Sequence, residues 1–198
     1  MRKLMNKDEA FTGLEAAIVL IAFVVVAAVF SYVVLGAGFF TTQKSQEVVY
    51  TGVSQASSSM EILGDVYGID EDNDDAIEDI QFTVGLSAGG SSIDFTKVVI
   101  TWSTATEVEI IPANTTLING TGDPAANTWV INDIRPTTST GDALLESNEQ
   151  FTLKVNLNTG HELASNEKFN LEIKPSTGAA LGIKRTGPAK VDKVNLLY

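Results

Sequence analysis

The side chains in this sequence that could do chemistry are mainly the carboxylates of one acidic run, DVYGIDEDNDDAIED, which contains eight acids and no base. In that run Asp70, Asp72 and Asp74 have the spacing of the first ligands in a calcium-binding EF-hand loop. An EF-hand also needs a glycine and a bidentate glutamate further on, where this chain has Asp75 and Gln81. An EF-hand is therefore excluded. No dedicated metal site is expected, and a looser cation site on the first three carboxylates stays an alternative.

The single histidine, His161, is the one candidate base for nucleophilic catalysis, but it lies in the polar stretch NTGHELAS, which is typical of a solvated turn. The chain has no cysteine, so disulfides and zinc sites built from cysteine and histidine are excluded. A formal net charge of −12 argues against nucleic acid as a partner, because phosphate binding needs clustered lysine and arginine. We therefore predict that the protein is not an enzyme and holds no cofactor.

Two N-glycosylation sequons lie close together, Asn114-Thr115-Thr116 and Asn119-Gly120-Thr121. The segment that contains them is rich in turn-forming residues, which predicts an exposed loop. We expect Asn114 and Asn119 to be candidate glycosylation sites if the protein is exported.

The longest apolar segment, residues 16–40, predicts a membrane-spanning helix. Its 25 residues read AAIVLIAFVVVAAVFSYVVLGAGFF. At about 1.5 Å per residue such a helix can cross the ~30 Å hydrocarbon layer of a bilayer. Apolar residues then recur every three or four positions up to Leu63, which indicates that the helix continues past the apolar segment. With Gly64 as the predicted stop, we expect one helix over residues 11–64.

The remainder of the chain predicts β structure. From residue 80 onward, seven stretches of alternating apolar and polar residues are separated by turns rich in glycine, proline and asparagine. This pattern indicates an antiparallel β-sandwich of the immunoglobulin-like kind. The predicted fold class is α+β: one long N-terminal hydrophobic helix, an acidic connector over 65–79, and a β-sandwich outer domain over 80–198.

Any assignment of this N-terminal region must explain Glu15, an acid near the start of the apolar segment. A secretory signal has an apolar stretch of about 7–15 residues before its cleavage site, so this stretch is too long. A plain membrane anchor fits the length but gives no reason for an acid, since ionisable groups in membrane helices are costly and usually functional. An acid placed in the headgroup region, where the cost is low, stays an alternative.

A third interpretation includes the residues before the helix. The stretch KDEAFTGLE has a charged lead-in, the small residue Ala10, then Phe11, and a glutamate as the fifth residue counted from Phe11. It resembles the prepilin-type leader shared by type IV pilins and archaeal flagellins, the archaellins. The resemblance implies cleavage of the Ala10–Phe11 bond, with residues 1–10 removed as the leader and the helix kept for assembly. Because glycine is commoner before the cut, cleavage between Gly13 and Leu14 stays an alternative.

Residues 18–29, IVLIAFVVVAAV, are similar to the archaellin helix, and an acidic, cysteine-free β domain with sequons also looks like an archaellin. The resemblance implies a structural subunit that polymerises with itself into the extracellular swimming filament, the archaellum, after a precursor stage in the cytoplasmic membrane. Implied partners are a prepilin-type signal peptidase, the membrane platform and assembly ATPase of the filament machinery, and an oligosaccharyltransferase. The alternatives are an adhesive type IV pilin and a singly membrane-anchored surface binding protein.

Cleavage before Phe11 would create an ammonium close to Glu15, the first acid of the mature chain. A free amine and a carboxylate in an apolar setting can pair, within one subunit or between neighbours. We hypothesise that this pair, Phe11 with Glu15, sets the register of a subunit during assembly.

Overall fold

The computed structural model describes residues 7–57, 59–72, 74–120, 122–136, 141–157 and 161–198. The chain divides into two compact units, Met1–Thr51 and Gly52–Tyr198. The described part of the first unit belongs to a single α-helix, and the second unit contains all the described strands. The expectation of one long N-terminal helix followed by antiparallel sheets is confirmed.

The helix, α1, runs from Lys7 to Ser57. It is continuous through Gly36 and Gly38, and the segment Gly13–Val53 is long and apolar enough to cross a membrane. Where the sequence turns polar, the hydroxyls of Thr41 and Thr42 donate hydrogen bonds to the carbonyls of Ala37 and Gly38, at 2.8 and 2.9 Å. These bonds keep the two threonines compatible with an apolar environment, because their hydroxyls need no other partner.

The second unit is built from thirteen strands and one 3₁₀ turn, Phe95–Lys97, among the residues described. The strands are β1 (Met60–Ile62), β2 (Tyr67–Ile69), β3 (Asp79–Leu86), β4 (Ile93–Asp94), β5 (Val99–Ser103), β6 (Val108–Ile111), β7 (Ala113–Ile118), β8 (Trp129–Arg135), β9 (Leu144–Leu145), β10 (Gln150–Asn156), β11 (Lys168–Lys174), β12 (Leu181–Thr186) and β13 (Val194–Leu196).

Two main sheets share one core. The larger has the order β13-β2-β3-β10-β8-β7, with β1 also paired to β3, and the smaller has the order β12-β11-β5-β6. A third pairing joins β4 to β9. All described pairs are antiparallel except β7 with β8. Buried apolar side chains from both main sheets belong to one hydrophobic cluster, so the domain is a sandwich.

Period-two alternation sets the two faces of each central strand. Phe82 and Val84 of β3 and Phe151 and Leu153 of β10 are at most 1% exposed, while the residues between them point the other way. Phe95, on the 3₁₀ turn, packs edge-on against Phe151, with ring centroids 5.2 Å apart. These contacts place large aromatic rings at the centre of the core.

Two predicted boundaries are corrected by the structure. The helix ends at Ser57 instead of reaching Gly64, because Met60–Ile62 pairs with β3 and Met60 is buried in the core. Three-and-four spacing of apolar residues cannot distinguish a helix from a short strand and the turn beside it. Gly64 has a positive φ of 88°, so it forms the turn before β2 and does not end the helix.

The predicted acidic connector, residues 65–79, is also corrected, because it is part of the β domain. It contains β2 and the start of β3, and Val66 and Ile77 within it are at most 1% exposed. Asp79 itself is fully buried. The outer domain therefore begins at Met60 and not at residue 80.

Candidate assembly helix and acidic sites

The apolar surface of α1 is exposed along its length in the isolated chain. Between Leu14 and Phe40, seventeen large apolar side chains are each 51–81% exposed. Glu15 is an exposed residue at the start of this surface. Ala10 and Phe11 lie within the helical backbone, but their side chains and residues 1–6 fall outside the described part of the structure.

The three aspartates singled out from the sequence converge in a loop between β2 and β3. Ligand oxygens of Asp70, Asp72, Asp74 and Glu78 all lie within 4.8 Å of one another. Burial raises the pKa of Glu78 to about 6, and Asp72 and Asp70 add to the increase. Carboxylate oxygens at these distances are ligands suited to a hard cation. The cation site stays a hypothesis, and Glu78 is the member that sequence reasoning missed.

The loop is also held by its own hydrogen bonds. The backbone amides of Asp74 and Ala76 donate to the side chains of Asp72 and Asp74, at 3.2 and 3.0 Å. The amide of Glu71 donates to Glu78 Oε2 at 2.9 Å. The loop conformation is therefore determined by its own acidic side chains.

A second acidic group surrounds a buried lysine that sequence reasoning did not single out. Lys154 Nζ lies 2.7 Å from Glu71 Oε1 and 2.9 Å from Asp79 Oδ2, and it also contacts Asp123 Oδ1. The side chain of Lys154 is 7% exposed and that of Asp79 is 0% exposed. Asn156 Nδ2 donates to the other oxygen of Asp79 at 2.8 Å. The lysine thus ties two loops to strand β10.

Charge in this cluster is unbalanced, because three carboxylates share one ammonium. Burial and the nearby Glu71 raise the pKa of Asp79 to about 6, although Lys154 and Asn156 act in the opposite direction. Burial alone would lower the pKa of Lys154, but the hydrogen bonds that its ammonium donates to Asp123, Glu71 and Asp79 outweigh burial and raise that pKa. The lysine therefore stays charged at neutral pH, and Asp79 is the carboxyl of this cluster whose pKa burial raises.

His161 is half-buried and lies beside two acidic side chains. Its Nδ1 lies 2.5 Å from Glu107 Oε2 and its Nε2 lies 3.9 Å from Glu109 Oε2. The two glutamates belong to the β5–β6 hairpin region, so this contact links the segment after β10 to the smaller sheet.

The first sequon lies on a strand instead of in the predicted exposed loop, whereas the second begins in the loop that follows this strand. Asn114 lies on β7, the edge strand of the larger sheet, and its Oδ1 accepts a hydrogen bond from Thr115 Oγ1 at 3.1 Å. Asn119 follows the same strand, and its side chain packs against Gly122. A Cβ added to Gly122 would lie 2.3 Å from Nδ2 of Asn119. Thr121, the third residue of the second sequon, falls outside the described residues. Asn114 and Asn119 are both half-buried.

The sequence matches the family model for archaeal-type flagellin over residues 10–185. This chain belongs to the archaeal-type flagellin family. Among related flagellins, probable flagellin 2 of Archaeoglobus fulgidus is 42% identical over 165 residues, which is 79% of this chain and 76% of that protein. Probable flagellin 1 of the same organism is 61% identical over 101 residues, a match that spans 51% of this chain and 49% of that protein.

The structure of the archaeal flagellum of Methanospirillum hungatei strain JF1 matches with a TM-score of 0.71 and 36% sequence identity. The match covers 94% of this chain and 99% of that chain. This archaeal-type flagellin is therefore a structural filament subunit, and the adhesive-pilin alternative is not favoured. The archaellum is an extracellular filament, and this flagellin carries the apolar N-terminal helix expected from its sequence.

Proposed function

We propose that this flagellin is made as a precursor, cut between Ala10 and Phe11, and polymerised through its N-terminal helix into a swimming filament. The proposal gives the protein a structural role without catalysis. It rests chiefly on the exposed apolar surface of α1, which water does not tolerate and which identical helices can cover.

The free energy available from this surface is large enough to keep a subunit in the filament once its helix has left the membrane, because the alternative is then exposure to water. Fully burying one Val, Leu, Ile or Phe side chain is worth about 1.5–3 kcal/mol. The large apolar side chains between Leu14 and Phe40 are all more than half exposed, so covering them is worth on the order of 15–30 kcal/mol. Association costs about 4–15 kcal/mol in lost subunit freedom. Helix burial therefore exceeds the cost of fixing a subunit in the polymer.

Before assembly the same helix would hold the subunit in the cytoplasmic membrane. The segment Gly13–Val53 has 41 residues, which corresponds to about 60 Å of helix, twice the ~30 Å hydrocarbon thickness. The apolar part would lie in lipid and the polar part outside it. In this scheme the partners are a prepilin-type signal peptidase, the membrane platform and the assembly ATPase.

Glu15 fits this scheme better than it fits a permanent anchor. It is exposed at the start of the apolar surface, with Phe11 one helical turn before it. After cleavage the new ammonium of Phe11 would neutralise the carboxylate inside the helical core. We propose that this pair sets the axial position of each incoming subunit.

We also propose that an oligosaccharyltransferase modifies Asn114, and Asn119 to a lesser extent. Asn114 is supported by its place on an edge strand, whereas the Asn119 side chain is packed against Gly122. Mass spectrometry of filaments should show a glycan on the peptide that contains Asn114, and Asn114→Gln should remove it.

N-terminal sequencing of filaments sheared from cells tests the proposed processing. Phe11 as the first residue is the expected result, whereas Leu14 would move the cut to the alternative bond. An intact leader found only in the membrane fraction would contradict the polymer and support a surface anchor. A deletion strain tests motility, because it should lose swimming and recover it with the wild-type gene.

A further inference from the structure

One face of the outer domain has the opposite charge to the rest of this acidic protein. The segment Gly52–Tyr198 contains nine lysine and arginine residues. Four of them pair with a carboxylate within 4.0 Å: Lys97, Arg135, Lys154 and Lys190. Among the described residues the other five have no carboxylate at that distance, and they are Lys168, Lys174, Lys184, Arg185 and Lys193.

Four of these five unpaired cations belong to β11 and β12. The register pairs Lys168 with Thr186 and Asn170 with Lys184. The buried neighbours Phe169 and Leu171 alternate with these residues along β11, so Lys168 and Lys184 lie on the face turned away from the core. Glu172 is an acid on this same face of β11 and β12, but the lysines outnumber it, so the face is positive overall.

The same face also exposes apolar side chains on strand β6. Val108 and Ile110 of β6 are 75% and 64% exposed. At one end of the sheet, a cleft of about 370 Å³ is lined by Lys168, Lys184, Arg185, Asn170, Ser103 and Tyr198. Exposed apolar groups beside unpaired charges mark a surface that is completed by a partner.

The acidic loop after β2 has the complementary chemistry. Asp72, Asp74 and Asp75 are exposed, and none of the three has a cation within 4.0 Å among the described residues. The loop connects two strands of the larger sheet, while the cationic face belongs to the smaller sheet. The two surfaces therefore belong to opposite sheets of one sandwich. A contact between them in different copies is heterologous, and such contacts propagate into filaments.

We propose that the outward face of β5, β6, β11 and β12 binds the exposed carboxylates of Asp72 and Asp74, between β2 and β3, of a second copy of this chain. This inference rests on the proposed polymer, to which it adds a specific contact between outer domains. Lys168 and Lys184 would receive the carboxylates of Asp72 and Asp74, while Val108 and Ile110 would be covered by the neighbouring domain.

Charge reversal tests the contact in filaments sheared from cells that make only the variant chain. At a detergent concentration at which wild-type filaments release a small, measurable fraction of their subunits, Lys168→Glu/Lys184→Glu should raise the concentration of released subunits about tenfold, as expected for lost interfacial charge pairs. Arg135→Glu makes a charge change of the same sign at an exposed position on another sheet, and it should leave the concentration near the wild-type value. Asp72→Asn/Asp74→Asn, which keeps the loop's hydrogen-bond acceptors, should weaken filaments without unfolding the domain.

Cross-linking gives a second measurement that does not depend on stability. The chain has no cysteine, so Lys184→Cys/Asp72→Cys provides the only two thiols. A bifunctional thiol reagent applied to filaments should produce a ladder of dimers and higher oligomers, whereas Arg135→Cys/Asp72→Cys should not. Two results together would overturn the contact: no ladder from Lys184→Cys/Asp72→Cys, and no effect of Lys168→Glu/Lys184→Glu on filament stability. The proposed function would still stand, provided that the wild-type chain forms filaments. Failure of the wild-type chain to form filaments would contradict the proposed function itself.

Discussion

Replacing Lys154 by methionine is expected to destabilise the outer domain strongly at neutral pH. The substitution keeps the length of the side chain but removes the ammonium that pairs with Asp79. Because Asp79 is 0% exposed, its charge would remain buried with Asn156 as its one hydrogen-bond donor in the cluster. Leaving one partner of a buried ion pair uncompensated costs about 3–5 kcal/mol.

The other two carboxylates contribute little to this cost. Glu71 and Asp123 are 42% and 66% exposed, so water can solvate them when the lysine is lost, and exposed pairs are worth about 0–1 kcal/mol. The predicted loss is therefore attributed to Asp79. It should shrink at pH 5, because an unpaired Asp79 can take up a proton and become neutral.

Urea unfolding of the full chain in detergent micelles measures this loss. Both tryptophans, Trp102 and Trp129, are buried in the β domain, so their fluorescence reports its unfolding without interference from the helix. Lys97→Met is the matched control. Its lysine is 65% exposed and pairs with a carboxylate, Asp94, so the change should cost at most about 1 kcal/mol.

Two results would refute the argument. One is a Lys154→Met variant within about 1 kcal/mol of wild type at pH 7, since a buried, uncompensated charge costs more than that. The other is a Lys154→Met/Asp79→Asn variant no more stable than the single one, since neutralising Asp79 should remove the penalty.

Three further predictions concern pH, packing and assembly. The pKa values of Asp79 and Glu78 are both raised to about 6 in the folded protein, so the folded state binds these protons more tightly than the unfolded chain. Each group should therefore raise the unfolding free energy by about 1 kcal/mol from pH 7 to pH 5, and in urea titrations Asp79→Asn should remove the part of this rise that Asp79 contributes and leave that of Glu78. A Cβ at Gly187 would lie 2.8 Å from the backbone oxygen of Ala164, so Gly187→Ala should lower the melting temperature by an amount equivalent to about 1–3 kcal/mol, whereas Gly182→Ala, with its nearest atom at 3.6 Å, should not. Glu15→Gln should reduce filament yield while Glu47→Gln, also on α1, does not; equal yields of sheared filament would end the registration hypothesis.

Much of the fold was predictable from local patterns. An uncharged segment as long as 16–40 is stable only where lipid or other helices cover it, so its helical state follows from composition. The strands with clear alternation, such as β3, β10 and β11, were recognised for a similar reason. Short or polar strands were missed, among them β7, whose sequence is ANTTLI, because partners distant in the chain stabilise them.

The candidate sites were less predictable, because they depend on which residues the sheets bring together. Asp70, Asp72 and Asp74 were visible as a pattern, whereas Glu78 joins them only through the turn into β3. Lys154 looked like a polar-face residue of an ordinary strand. It becomes a buried charge because two loops cover that face, and their residues lie 83 and 31 positions away in the chain.

The N-terminal region shows what the local sequence determines, and the outer domain shows what only the tertiary structure decides. Composition alone dictates an apolar helix with one acid at its start, since a run of Val, Ile, Leu, Phe and Ala cannot remain in water. The end of that helix at Ser57, the burial of Asp79 and the positive face on β11 and β12 follow from pairing between distant strands. Local sequence cannot encode them, because the energy of a buried charge or a strand edge depends on its partners across the sheet.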